Sequence, residues 1–245
     1  MKFEKTVRWL DGVLEPWKFD DVSNNGVQIG RGGDDVKTVA FAVDASVKSI
    51  RSAVDAGAQM LVVHHGISWG GGIRHLTGGQ YNAVKAAMDG NLALYASHLP
   101  LDANAKVGNN INLAREFALK SLRPAFSYRG NMIGFTGTLK SAAKLPRGGL
   151  ADRPEFREAL AAAGRKKALK IGVCSGGAGE FAVEAKALGC DLYVTGEASW
   201  ADVIAAENCG AAMVCLGHYE TEVFGVRSLA GVMGRELGIK TVDLT

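Results

Sequence analysis

The sequence has little cysteine, little net charge and no hydrophobic run long enough to span a membrane. Its first residues, MKFEKTVRWLDGVLEPW, alternate charged and apolar side chains at helical spacing, so they lack the continuous apolar segment of a signal peptide. None of the cysteines forms a CxxC pair, and all lie in or beside apolar runs: Cys174, Cys190, Cys209 and Cys215. We therefore expect a cytoplasmic protein with reduced, buried thiols.

The charge distribution gives no strong indication of a nucleic-acid partner. The formal net charge is +3, and the basic residues are scattered. The densest cluster, Arg165-Lys166-Lys167, precedes a predicted strand and is more typical of a solvated helix end than of a nucleic-acid patch. A ring enclosing nucleic acid would require basic residues along a central channel.

The hydrophobic pattern predicts an α/β fold with mostly parallel sheet. Short β-rich runs alternate with longer helical patterns from about residue 37 onward, which is the pattern of βαβ units. The predicted strands span 36–43, 59–63, 92–96, 133–139, 169–174, 192–195, 211–216 and 239–243. The predicted helices span 46–57, 81–89, about 109–119, 153–163, about 178–188, 199–207 and 220–236.

The alternation changes near residues 120–150, where two turn-rich segments occur. Ser121–Gly130 contains Pro124 and polar residues, and Ser141–Gly149 contains Pro146 and a glycine pair. We therefore predict an N-terminal α/β domain over 1–125 and a C-terminal α/β domain over 126–245.

Four of the five histidines follow predicted strands. His64 and His65 end one apolar run, His98 follows the next, and His218 follows a third. Only His75 lies elsewhere, in a predicted loop. Because ligands of parallel α/β sheets bind outside the carboxyl ends of the strands, these imidazoles are candidate metal ligands.

Two carboxylates accompany these histidines at a spacing of four residues. Asp102 follows His98 in SHLPLDAN, where Pro100 argues against a regular helix. Glu222 follows His218 at the start of a predicted helix, so both side chains lie on one face. Glu220 would point away, which makes Glu222 the better candidate.

The candidate ligands suit a pair of transition-metal ions. Adjacent strand residues point to opposite faces, so His64 and His65 would bind most easily past the strand end, where they could reach two ions. Six ligands are too many for one tetrahedral site but fit two ions about 3.5–4 Å apart. Histidine with carboxylate and without thiolate suits Zn, Fe, Mn or Co. The excess positive charge favours a bridging hydroxide and an anionic or carbonyl-bearing substrate.

Other polar features have competing structural explanations. The glycine-rich segment Cys174–Gly179 could hold an anion, although a tight turn is the simpler interpretation and it is no Walker A motif. Glu197 could position a ligand or act as a general base, or else Glu197 or Ser199 caps the next helix. Trp69 and Tyr219 could stack on a planar ligand or simply pack.

Five motifs together resemble the GTP cyclohydrolase I type 2 homologue family, the NGG-interacting-factor-three-like dinuclear metal proteins. They are Asn25-Gly26-Val27-Gln28, VVHHG at 62–66, SHLPLDA at 97–103, Thr195-Gly196-Glu197 and GHYETE at 217–222. Many members carry proline after the double histidine, whereas this chain has Gly66.

The resemblance implies two similar α/β domains packed around a shared metal cleft, and a toroidal homohexamer. Carried onto matching positions, the metal ligands are His64, His65, His98, Asp102, His218 and Glu222. We expect a metal-dependent hydrolase that uses a metal-bridged hydroxide on an anionic, cyclic C=N, amide or phosphoryl substrate. The alternative is a non-catalytic protein that stores or delivers metal, or a ring-shaped scaffold.

Overall fold

The structure is a computed structural model that describes residues 1–33, 35–141, 145–164 and 167–245. The chain forms two compact units. Unit 1 comprises Met1–Leu101 and Gly225–Thr245, and unit 2 comprises Asp102–Phe224. The predicted domains were 1–125 and 126–245, whereas unit 2 begins at Asp102 and the residues from Gly225 onward belong to unit 1. Arg165 and Lys166 of the basic cluster lie outside the described residues.

Unit 1 is built on a five-stranded sheet. Its elements in chain order are α1 (Phe3–Leu14), β1 (Gly26–Ile29), β2 (Thr38–Asp44), α2 (Val47–Asp55), β3 (Met60–His65), α3 (Gly78–Asp89), β4 (Ala93–Ala96) and β10 (Lys240–Asp243). The strand order is β1-β4-β3-β2-β10, with β1 antiparallel to β4 and the other pairs parallel. Buried apolar residues form Val39–Val43 of β2 and Met60–Val63 of β3, as expected for parallel strands covered on both faces.

Unit 2 contains a second five-stranded sheet. Its elements in chain order are α5 (Asn109–Glu116), β5 (Lys120–Tyr128), β6 (Asn131–Leu139), α6 (Pro154–Ala162), β7 (Leu169–Val173), α7 (Ala182–Ala187), β8 (Leu192–Thr195), α8 (Trp200–Cys209) and β9 (Met213–Cys215). The strand order is β5-β6-β7-β8-β9. The β5-β6 and β6-β7 pairs are antiparallel, whereas β7-β8 and β8-β9 are parallel.

Each unit has its own apolar core. In unit 1, Ile50, Leu61 and Leu94 belong to one buried cluster. In unit 2, Phe117 and Phe156 stack with ring centroids 4.4 Å apart within another. The predicted α/β class with mostly parallel sheet is confirmed, since five of the eight strand pairs among the described residues are parallel.

Two proline-containing segments are more regular than the sequence suggested. The segment around Pro124 is strand β5, which lies at the sheet edge, where the missing N–H of proline is tolerated. Pro100 lies in the first turn of a short helix, α4 (Leu99–Ala103), where its N–H would have no helical partner in any case. The inference that Pro100 argues against a regular helix in SHLPLDAN was therefore wrong.

The last helix is α9 (His218–Leu237). Two further expectations concern the burial of the cysteines and the absence of a membrane-spanning segment. Cys174 and Cys190 are buried free thiols, but Cys209 is half-buried and Cys215 is exposed, so burial of all four was wrong. In the part of the chain that the structure describes, no helix combines the length and apolar character that a membrane span needs.

Candidate metal centre

His64 and His65 are the last two residues of β3, rather than lying past its end as expected. The strand continues because His65 pairs with Asp44 of β2, and the His65 carbonyl accepts a hydrogen bond from Ala45 N–H at 2.8 Å. Their ring centroids are nevertheless only 4.5 Å apart. Adjacent residues at a strand end can therefore bring both imidazoles to one place.

Three of the four histidines of unit 1 form one group. One ring nitrogen from each of His64, His65 and His98 lies within 4.8 Å of those of the other two. His98 follows β4, the neighbour of β3 in the sheet, so the carboxyl ends of two adjacent parallel strands bring the rings together. The arrangement could hold a metal ion.

An oxygen atom lies beside Nδ1 of each of these rings. His64 Nδ1 is 3.0 Å from the carbonyl oxygen of Ser97, which can only accept a hydrogen bond, so this nitrogen carries the proton. His65 Nδ1 is 2.9 Å from Asp44 Oδ1, and His98 Nδ1 is 2.9 Å from Asp21 Oδ1. The neutral rings are thereby held in the tautomer that leaves Nε2 available as a metal ligand.

Asp21 and Asn25 support His98, and the sequence did not single out Asp21. Asn25 Oδ1 accepts the backbone N–H of His98 at 2.7 Å, and Asn25 Nδ2 donates to Asp21 Oδ2 at 2.9 Å. Burial raises the pKa of Asp21, but the hydrogen bond from His98 and the electrostatic interaction with that ring, with the bonds from Asn25 and Ser23, lower it to about 2. Asp21 is therefore ionised at neutral pH.

Gln28 and Trp69 shape the loop after the double histidine. Gln28 Oε1 accepts the N–H of Ile67 at 2.7 Å, and a Cβ atom at Gly66 would collide with the Gln28 amide. Gly66 thus allows Gln28 to approach the backbone closely. The Trp69 ring is edge-on to His98, with centroids 5.2 Å apart, and remains partly exposed.

In unit 2, the first turn of α9 places His218 beside Glu222. His218 Nε2 lies 3.2 Å from Glu222 Oε1, and Nδ1 lies 3.0 Å from Glu197 Oε1. The hydrogen bond to Glu222 raises the pKa of His218, burial opposes it, and the charges of both carboxylates add to the rise, giving about 9. Glu222 is buried, whereas Glu220 is half-buried and lies 3.6 Å from Arg153.

Glu197 contacts His218, and Ser199 caps the following helix. The Ser199 side chain accepts the N–H of Asp202, and the Asp202 side chain in turn accepts the N–H of Ser199. The capping interpretation therefore applies to Ser199, while the Glu197 carboxylate is available to orient the His218 ring. Tyr219 is exposed on the surface.

Asp102 is a buried carboxylate at the end of α4. Its Oδ1 accepts hydrogen bonds from Asn109 Nδ2 at 2.9 Å and from Ser175 Oγ at 3.2 Å. The two donors hold the orientation of the carboxylate. Burial, followed by the charges of Asp102 and Glu222, raises the pKa of Cys174 well above its ordinary value, so this thiol stays protonated and is a poor nucleophile.

The chain turns at the glycine-rich segment after β7, and the first amides of that segment are hydrogen-bonded within unit 2. Ser175 N–H donates to Asn110 Oδ1 at 2.6 Å, and Gly176 N–H donates to Thr221 Oγ1 at 3.0 Å. The Gly176 carbonyl accepts the N–H groups of Gly196 and Glu197. With these two amides engaged, the turn holds the start of α9 through Thr221.

Comparison with known proteins supports the family resemblance of the five motifs along the chain. The sequence model of the Duf34/NIF3 (NGG1p interacting factor 3) family matches residues 1–244. The GTP cyclohydrolase 1 type 2 homolog of Archaeoglobus fulgidus is 41% identical over 250 residues, covering 100% of this chain and 98% of that protein. The corresponding homolog of Deinococcus radiodurans is 39% identical over 241 residues, covering 96% and 90%.

Solved structures share the fold. The TTHA1606 protein of Thermus thermophilus is 28% identical with a TM-score of 0.79, covering 100% of this chain and 98% of that chain. Reduced HcgD from Methanocaldococcus jannaschii is 25% identical with a TM-score of 0.80 and the same coverage. The five motifs, the two five-stranded sheets and the full-length match lead to one conclusion: the chain belongs to the Duf34/NIF3 (NGG1p interacting factor 3) family.

Proposed function

We propose that this chain is a dinuclear metal-binding protein and a metal-dependent hydrolase. The proposed ligands are His64, His65, His98, Asp102, His218 and Glu222. The observation that carries the proposal is the orientation of His64, His65 and His98, whose Nδ1 atoms all face oxygen atoms. This is how metal-binding imidazoles are commonly oriented.

The buried carboxylates of unit 2 support the same proposal. Burial of an ionised carboxylate is costly unless it is hydrogen-bonded, ion-paired or bound to a metal. Glu222 lies beside His218, and Asp102 is oriented by Ser175 and Asn109. In this proposal, a metal ion would replace the contact between His218 Nε2 and Glu222.

Two divalent ions would polarise a phosphoryl, amide or ring C=N group and lower the pKa of a bound water. The protein's own residues would orient the ligands: Asp21 and Asp44 would hold the imidazole rings, and Glu197 would hold His218. The exposed ring of Trp69 beside His98 offers a surface for a planar substrate. GTP is one candidate, on the strength of the relatives' name alone.

Metal content per chain tests the proposal. We expect about two equivalents of Zn, Fe, Mn or Co in the wild type purified without chelator. Glu222→Gln should lose metal, whereas Glu220→Gln, two residues away on the same helix, should retain it because Glu220 faces Arg153. Equal metal content in both variants would contradict the assignment of Glu222.

Activity is tested separately on the metal-loaded protein. GTP, cyclic amides and phosphoesters would be screened with wild type and Glu222→Gln. Turnover that disappears in Glu222→Gln and persists in Glu220→Gln would support a hydrolase. A metal-loaded wild type without turnover on any of these classes would favour metal storage or delivery.

We further propose a cytoplasmic protein that self-associates into a homohexamer, as the family resemblance implies. Exposed apolar side chains such as Trp200 and Met88 support burial against other copies. Light scattering on the purified full chain measures the mass directly, and a monomer at micromolar concentration would contradict the assembly.

A further inference from the structure

The Asp21 side chain is only 1% exposed, and it accepts four hydrogen bonds within unit 1. Its Oδ1 accepts from His98 Nδ1 at 2.9 Å and from Ser23 N–H at 3.0 Å. Its Oδ2 accepts from Leu99 N–H at 2.9 Å and from Asn25 Nδ2 at 2.9 Å. One buried carboxylate thus joins the segment before β1 to the segment after β4.

The His98 residue is held at two points by this network. Its ring is held by Asp21, and its backbone N–H donates to Asn25 Oδ1 at 2.7 Å. Because Asn25 also donates to Asp21, the two supports are coupled. Neither the position nor the tautomer of His98 can change without breaking part of the network.

We propose that Asp21 is a positioning residue that fixes His98 as the Nδ1–H tautomer and so reserves Nε2 for metal. The inference rests on the proposed function, which it deepens by assigning a role to a residue outside the ligand set. Asp44 provides an internal comparison. It lies at the same distance, 2.9 Å, from Nδ1 of His65, but it is 54% exposed. Water can replace an exposed acceptor, whereas nothing in a buried site can replace Asp21.

The substitution Asp21→Asn shows why the carboxylate is needed. An amide offers one acceptor oxygen and one donor group, whereas four donors point at this side chain. If the NH2 group occupies the Oδ1 position, His98 must accept through Nδ1 and carry its proton on Nε2. If the NH2 group occupies the Oδ2 position, it faces Leu99 N–H and disrupts the backbone after His98.

The experiment combines two measurements on the full chain. Nitrogen-15 NMR of the histidine rings in the metal-free protein reports the tautomer of His98 directly. Titration with Co²⁺, followed by absorption and by competition with a chelator, reports metal affinity. Both are made on wild type, Asp21→Asn and Asp44→Asn.

We expect the Nδ1–H tautomer in the wild type and its loss in Asp21→Asn. Loss of an oriented outer partner typically lowers metal affinity about 10–100-fold, and we expect this for Asp21→Asn with a smaller change for Asp44→Asn. Equal Co²⁺ affinity in all three proteins would overturn the role of Asp21. An Nε2–H tautomer of His98 in the wild type would also overturn the role of Asp21, and this measurement does not depend on whether a variant folds.

Failure of the proposed function gives a different result. A wild type that binds no Co²⁺ would overturn the metal centre itself. The tautomer measurement then tests the role of Asp21 by itself. A different His98 tautomer in Asp21→Asn would support the proposal that Asp21 fixes the tautomer, and an unchanged tautomer would contradict it.

Discussion

A substitution at Gly176 should have two effects that can be measured separately: backbone strain and displacement of a candidate ligand. It lies in the turn after β7 with φ +67°, in the left-handed region. A Cβ atom there would overlap Glu222 Oε1 and lie 3.1 Å from His218 Nε2. The substitution Gly176→Ala should therefore strain the backbone and also displace the carboxylate of a proposed ligand.

The two effects have different magnitudes and different assays. The left-handed conformation costs a non-glycine residue about 1–2 kcal/mol, which lowers the Tm of a chain of this size by about 2–8 °C. Displacement of Glu222, a proposed ligand, should lower Co²⁺ affinity by at least about tenfold, because loss of even an outer partner of a ligand typically costs that much. Calorimetry measures the first effect and chelator competition measures the second.

Gly210→Ala is the matched control. Gly210 has φ +66° at the end of α8, and a Cβ atom there would only approach Lys186 Nζ at 4.0 Å. We expect a similar fall in Tm but unchanged Co²⁺ affinity. If Gly176→Ala bound Co²⁺ as tightly as Gly210→Ala, then either Glu222 is no ligand or the turn relaxes without moving it, and the steric reasoning would fail.

The remaining predictions concern pH and the loop after the double histidine. In metal-free protein, contact with Glu222 raises the pKa of His218 from 6.5 to about 9. The contribution of this contact to the free energy of unfolding is therefore present below pH 6.5 and is lost as the pH rises through 9. Chemical denaturation should show this decline, and His218→Gln should flatten it; an equal slope in both proteins would contradict the ion pair. Gly66→Ala should lower Tm because its Cβ would displace the Gln28 amide, whereas Gly12→Ala, with open space around it in α1, should be neutral or stabilising. An unchanged Tm for Gly66→Ala would show that Gln28 can move at no cost.

The local pattern was sufficient to predict most of the strands. Strand β8 has the predicted bounds, Leu192–Thr195, because a short buried apolar run between glycine-containing turns has few alternatives. Two of the edge strands, β1 and β5, were not predicted. β1 and β5 carry mixed or exposed side chains, and β5 contains Pro124, so their pairing depends on neighbours distant in sequence. Periodicity does not record such pairing.

The same limit explains which parts of the candidate site were missed. The histidines are rare residues at strand ends, and the sequence displays them directly. Asp44 ends β2 at the same sheet edge and could have been found by the same reasoning. Asp21 is different: it precedes β1 in an irregular segment, and its bond to His98 spans 77 residues. Only the folded chain shows that partnership.

The charges of the proposed ligands constrain what the protein could act upon. Imidazoles held as neutral Nδ1–H tautomers contribute no charge to a metal ion, so only Asp102 and Glu222 would offset the four positive charges of two divalent ions. Asp21 and Asp44 do not contact the metal directly in this proposal, because they lie behind His98 and His65, where they orient the rings. The remaining positive charge would favour an anionic or carbonyl-bearing substrate over a cationic one. A screen of substrates should therefore begin with phosphoesters and cyclic amides, and a preference for cationic substrates would indicate that the ligand set is incomplete.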